Sequence, residues 1–152
     1  MSNYAAIKTA LTAAVSAVSS TGVVYPRKRW APDWKSFIEV FRDPDDHDRI
    51  NGWCVSRMAS PETYLQNRES ERKHRFLIRG YYGLCDADDT ETIFDGIVED
   101  VCDALRGNYD LGGACEMLYA PTTLKIEERR FGSILCHVAD IQIEAQERLP
   151  WS

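Results

Sequence analysis

Apolar and polar positions alternate through HRFLIRGYYGL. Phe76, Ile78, Tyr82 and Leu84 fall on one face, and Lys73, Arg75 and Arg79 on the other. A period of two, carried by aromatic and β-branched residues, predicts a strand over 74–84. The next stretch, DDTETIFDGIVEDVCDALRGN, changes period. Ile93, Phe94, Ile97, Val98, Val101 and Leu105 recur at steps of three and four, which is the apolar stripe of a helix. Asp88 is placed to cap it, with Glu91 completing a capping box, and Gly107 and Asn108 to stop it. A strand feeding such a helix predicts one layer of helix on one layer of sheet.

The remaining segments fill out that plan. Tyr4, Ile7, Leu11, Val15 and Val18 share a face of an alanine-rich helix over 3–19. In APDWKSFIEVFRD, Asp33 reads as a cap, and Trp34, Phe37, Ile38 and Phe41 follow at helical spacing. A strand competes there, and the short helix is preferred. Those four side chains require cover, from the sheet or from another subunit. INGWCVSRM predicts a strand over 50–58 with Trp53 and Val55 on one face. The polar run after it, about 59–73, is the tip of a long hairpin, either a solvated end or an arm touching a neighbouring chain. Strands are expected over 114–119 and 122–130, the second with Leu124 and Ile126 on one face. Phe131 and Gly132 turn or bulge the chain. In the last strand, 133–146, Leu135, Ala139, Ile141, Ile143 and Ala145 point one way and Asp140, Gln142 and Glu144 the other. Its first half, with Ile134, Cys136 and Val138, is apolar on both faces and is expected to be covered on both sides. The tail, 147–152, is expected to have little structure, with Trp151 free to dock. The fold class is α+β: an antiparallel or mixed sheet of about four to five strands, two main helices on it and a long projecting hairpin, in one domain over 1–152.

Composition narrows the function more than the fold. The chain has 152 residues, 44% hydrophobic and 28% charged, with a net charge of −6. That balance argues against a general phosphate-binding surface. No apolar run approaches the roughly 20 residues that span a bilayer, and the first residues lack the basic start of a signal peptide. The five cysteines are widely spaced without a CxxC pair, as expected of buried thiols in a reducing compartment. Arg27, Lys28 and Arg29 before Trp30 read as a solvated loop with an aromatic anchor, with phosphate contact as the alternative. The acidic runs at 43–48 and 86–95 lack the glycine and glutamate that a calcium loop needs at its sixth and twelfth positions. They read as loop solvation and helix capping.

Catalytic chemistry has few candidates. The histidines are His47, His74 and His137. His137 follows Cys136, but neighbours in a strand point to opposite faces and do not pair. A buried structural histidine is the expectation for His137, and His74 shares the face of Phe76. No phosphate loop, dinucleotide glycine pattern, HExxH or nucleophile elbow occurs. No catalytic, cofactor-binding or metal-ligating residue is therefore assigned, and no small-molecule substrate is expected.

The order helix, short helix, long hairpin, helix, strands is carried by WAPDWKSFIEVF, INGWCVSR, KHRFLIRGYYGL with its acidic-capped helix, and FGSILCHVADIQIEAQE. It resembles the small neck and tail-completion proteins of long-tailed bacteriophages, and among them the tail terminator group, over most of the chain after Tyr25. The resemblance implies an α+β virion subunit that forms a ring, usually a hexamer. Such a ring caps the tail tube, joins it to the head-side connector and lets DNA pass through its lumen. Its partners would be copies of itself, the tail tube protein and the connector protein. Its places would be the host cytoplasm during assembly and then the virion, with no membrane. A head-completion or connector ring is the near alternative. A nucleic-acid-binding regulator using 27–29 and 68–79 is an alternative of another class. Subunit contacts are expected from Trp30, Trp34, Phe37 and Phe41, from Tyr64, Arg68 and Arg72 in the hairpin, and from Trp151.

Overall fold

The structure is a computed structural model that describes residues 1–46 and 48–151. His47 and the last residue of the expected tail lie outside the described residues. Among the described residues, three α-helices accompany one seven-stranded mixed sheet. In chain order the elements are α1 (Tyr4–Ser16), β1 (Val23–Tyr25), α2 (Trp34–Phe41), β2 (Asn51–Ala59), β3 (Glu62–Leu65), β4 (Glu69–Gly83), α3 (Thr90–Arg106), β5 (Met117–Leu118), β6 (Thr122–Phe131) and β7 (Ile134–Pro150). The expected α+β class and its long hairpin are what the chain adopts. The strand order is β1-β2-β4-β7-β5, with β3 beside the first part of β4 and β6 beside the first part of β7. Only β1 is parallel to its neighbour; the other pairs are antiparallel.

The central pair is β4 with β7, in register from Glu69↔Pro150 to Gly83↔Cys136. Fifteen residues of β4 at roughly 3.3 Å each make a ladder about 50 Å long. Helices α1 and α3 cover one face. There Ile7, Leu11 and Val15 of α1 and Phe94, Ile97, Val98, Val101 and Leu105 of α3 meet Trp53, Val55, Phe76, Ile78, Ala139, Ile141 and Ile143. The outer face is roofed at one end only. There α2 lays Phe37 and Phe41 over Cys54, Tyr81, Phe131 and Cys136. One glycine per face makes the close approach possible. A Cβ on Gly80 would lie 2.6 Å from the Trp53 ring, and one on Gly52 would lie 2.4 Å from the Phe41 ring.

Several sequence expectations shift. The helix after β4 begins at Thr90, because the chain first turns through Asp86–Asp88 and takes a left-handed conformation at Asp89 (φ 52°). Asp88 therefore does not cap it. Instead, the Thr90 hydroxyl accepts from the Cys85 amide (2.9 Å), and Asp89 accepts from the Thr92 hydroxyl (2.9 Å). Ile93 is exposed, because Thr90 holds the buried position in the first turn. Leu135 and the β6 residues Leu124 and Ile126 are also exposed. The strand expected over 114–119 shrinks to Met117–Leu118, after the turn at Leu111–Gly113. Gly132 (φ 64°) and Ser133 form a tight turn joining β6 to β7 rather than a bulge; the β6 bulge lies at Leu124. The tail is strand as far as Pro150, where Glu147 to Pro150 pair with Arg72 to Glu69 of β4.

Candidate functional site

The expected contact residues separate into a buried group, an exposed group at one end of the β4–β7 ladder, and Trp34 and Trp30 at its other end and partway along it. The buried group lies in α2. Its helix starts where expected, since the Ser36 amide donates to the Asp33 carboxylate at 2.8 Å. Phe37 stacks on Phe131 with ring centroids 4.2 Å apart, and Phe41 packs on Tyr81 at 4.6 Å. Phe37 and Phe41 are thus withdrawn as subunit contacts, because the sheet of their own chain covers them. Trp34, on the same helix, is half-exposed and lies against Gly132 at the β6–β7 turn. Trp30, in the loop before α2, is 84% exposed.

Trp30 borders a small cleft of about 70 Å³ with Lys28, Arg29, Arg79, Tyr81 and Cys54. Of the three cations bordering it, Arg79 is committed to an ion pair. Asp140 takes both donors of Arg79, at 2.7 and 3.0 Å, and holds its guanidinium firmly protonated. Arg29 lies over the Tyr25 ring at 4.4 Å. Burial pushes the Cys54 thiol and the Tyr81 phenol up from their ordinary pKa values.

The far end is built by β3, the start of β4 and the end of β7. Asn67 and Arg68 take left-handed conformations (φ 70° and 59°), which closes the β3–β4 turn. The expected arm is therefore a paired three-stranded tip. There the Trp151 amide donates to the Arg68 carbonyl at 2.8 Å. That bond brings Trp151 beside Tyr64, with ring centroids 5.6 Å apart. Tyr64 is 77% exposed. The two rings, with Met1, Leu149 and Pro150, border an open recess of about 510 Å³. Arg68 is exposed, whereas Arg72 is held by Glu62 at 3.3 Å and by the Ser2 hydroxyl at 3.2 Å. Arg72 therefore braces the tip.

Below the tip lies a relay that sequence reading missed. Ser60 Oγ is 2.8 Å from His74 Nδ1, and His74 Nε2 is 2.7 Å from Glu147 Oε2. The other carboxylate oxygen accepts the Asn3 amide at 3.0 Å, and Ser2 Oγ lies 3.3 Å from Oε2. His74 is fully buried beneath the Tyr4 ring, 5.2 Å away. Burial holds its imidazole below the ordinary value, against the pull of Glu147 toward protonation. A hydroxyl, an imidazole and a carboxylate in line is the arrangement that nucleophilic catalysis uses. Here the carboxylate is closed off by the first residues of the chain, and the relay clamps α1 to the sheet. One signal was available: Glu147 continues the apolar series Ile141, Ile143, Ala145, so a charge falls on the buried face of β7. His137 is buried as expected, 2.8 Å from the Thr90 hydroxyl.

The acidic loops solvate and turn the chain as the spacing implied. Asp43 accepts from the Asp45 amide (2.9 Å) and Asp46 from the Asp48 amide (3.2 Å). Among the described residues, no group of three or more His, Cys, Asp or Glu side chains is placed to hold a metal ion. Within the same residues, no helix is long and apolar enough to cross a membrane. Neither a family model nor a curated protein sequence matches the chain.

Proposed function

We propose that this chain is a structural subunit of a phage head–tail junction. Copies of it form a ring, hexameric in the resembling family, that caps the tail tube and meets the head-side connector. The observation that carries the reading is the pair of exposed aromatic groups at opposite ends of one long ladder. Tyr64 and Trp151 stand at the tip, Trp34 stands at the β6–β7 turn, and Trp30 borders the cleft beside Leu77, Arg79 and Tyr81, partway along the ladder. A head-to-tail ring needs two different patches on each subunit, and rigid strands between them fix the angle that decides closure. Large exposed aromatic side chains are the residues that interfaces concentrate. The acidic balance of the chain, −6 overall, suits a lumen through which DNA slides without being held. In this reading the chain has no catalytic role, meets DNA only in transit, and resides in the virion after assembly in the host cytoplasm.

The test is tube growth. Purified tail tube protein is polymerised with and without this chain, and tube lengths are measured by negative-stain microscopy. The expected result is short tubes carrying a ring at one end. Unchanged lengths and bare ends would remove the terminator role. Rings that bind the portal side instead would move the chain to the connector role.

A further inference from the structure

We infer that β6 is a docking edge for a second copy of this chain, paired antiparallel about a two-fold axis at Ile126. Strand β6 hydrogen-bonds to β7 along one side, and among the described residues its other side has no strand partner. Alternate residues of this ten-residue strand turn their backbone donors and acceptors away from β7, so about half of them are open at the sheet edge. The side chains there are not uniformly polar. Leu124, freed by the bulge between Thr123 and Lys125, is 49% exposed, and Ile126 is 46% exposed.

The charges select the occupant and the register. Along β6 they run Lys125, Glu127, Glu128, Arg129, Arg130. When two copies of one strand pair antiparallel in a continuous sheet, residues of like parity stand opposite one another. Centring the axis on Lys125 opposes two lysines. Centring it on Glu127 opposes two glutamates and sets Lys125 against Arg129. Centring it on Glu128 opposes two glutamates again. With the axis on Ile126, Lys125 of each copy faces Glu127 of the other, and beyond this pair the bulge at Leu124 interrupts the regular alternation. Over 125–127 no like charges then stand opposite, and the two Ile126 side chains meet on the axis. Within one chain Glu127 already draws both Lys125 and Arg129 toward it, so these side chains are held along the edge. A strand whose charges pair with its own reverse fits itself better than a generic peptide. The contact is isologous and closes after two copies. It is distinct from the head-to-tail contact of a ring, so either stands if the other fails.

The experiment measures mass by light scattering and sedimentation on the full chain carrying Tyr64→Ala and Trp151→Ala, which removes the tip patch. Into it are placed Lys125→Glu alone, Glu127→Lys alone, and both variants mixed. The parent is expected to dimerise. Each single change sets like charges opposite at both cross-strand positions and should weaken the dimer by about tenfold or more. An equimolar mixture should recover it as a heterodimer, because every position then opposes Glu to Lys. At concentrations low enough to keep every form monomeric, melting curves should coincide to within about 0.5 kcal/mol, since both positions lie on the open edge. A monomeric parent, single variants that dimerise as tightly as the parent, or a mixture that stays monomeric would each overturn the inference. Rings lost with the tip changes while dimers persist would separate this contact from the ring contact.

Discussion

At one end of the β4–β7 ladder, Phe37, Phe41, Tyr81 and Phe131 form a closed aromatic pad. At the other, Tyr64 and Trp151 form an aromatic pair in the open. The residue types are alike, and both groups rest on the same two strands or their direct neighbours. The difference lies in what covers them. At the turn end α2 sits on the outer face, held by its Asp33 cap and by the Tyr25 hydroxyl donating to the Val40 carbonyl at 2.5 Å. At the tip no helix lies above the rings among the described residues, and the strands run on as polar backbone edges. Aromatic surface therefore stabilises the fold at one end and is left exposed at the other.

The sharpest way to break the comparison is to empty the closed pad. Phe41→Ala removes a side chain that is 2% exposed, and a buried Phe→Ala change costs about 3–5 kcal/mol. Urea unfolding should show a midpoint lowered by that energy divided by the slope, with the slope itself unchanged. The same pad protects its thiol: burial pushes Cys136 up to about 12. Thiol reagent should label Cys136 only on unfolding, and faster labelling in Phe41→Ala would report the opened pad. Rapid labelling of Cys136 in the parent chain would contradict the closed pad outright.

Under the tip, the buried relay gives the open end a pH dependence. His74 in the fold takes a proton only below its ordinary value of 6.5, whereas the unfolded chain takes one at 6.5. The unfolded state thus binds more protons just below 6.5, and stability falls as pH drops through that window. Above 6.5 both states are neutral at this site and the contribution is complete. The slope from one such group is at most about 1.4 kcal/mol per pH unit. Melting temperatures between pH 8 and 5.5 should fall at the acid end, and His74→Gln should flatten that fall. A profile unchanged by the substitution would place the proton uptake elsewhere.

A smaller effect tests what holds the roof. Asp33→Ala removes the acceptor for the Ser36 amide and should cost about 1 kcal/mol, seen as a modest drop in melting temperature. That cap was legible in the sequence, as were the alternation in β4 and β7, the stripe of α3 and the shared helical face of Phe37 and Phe41, though not that their own sheet covers them. Other features were not legible. β3 is four residues, none of them buried, and it forms because β4 supplies a ladder beside it. The polar end of β7 is strand for the same reason. Ile93, Leu124, Ile126 and Leu135 have the right period and are still exposed, because period reports a face and not whether anything lies against it. For the candidate surfaces, the types of residue were readable. The pairing of Tyr64 with Trp151 was not, since it depends on a backbone bond between residues 68 and 151.

The smallest effect on stability carries the most about function. Tyr64→Ala with Trp151→Ala removes two rings from the exposed end of the ladder. Surface changes of this kind fall within about 0.5 kcal/mol, so unfolding curves should overlay those of the parent. The backbone bond from Trp151 to Arg68 does not use either side chain, so the tip keeps its shape. If the tip is a subunit contact, ring formation should nevertheless be lost in native mass and microscopy. A variant that loses stability by as much as Phe41→Ala would show the pair to be core. A variant as stable as the parent that still assembles would place the contact away from the tip. Trp34→Ala, at the other end, then becomes the matching test, because a head-to-tail ring fails when either of its two patches is removed.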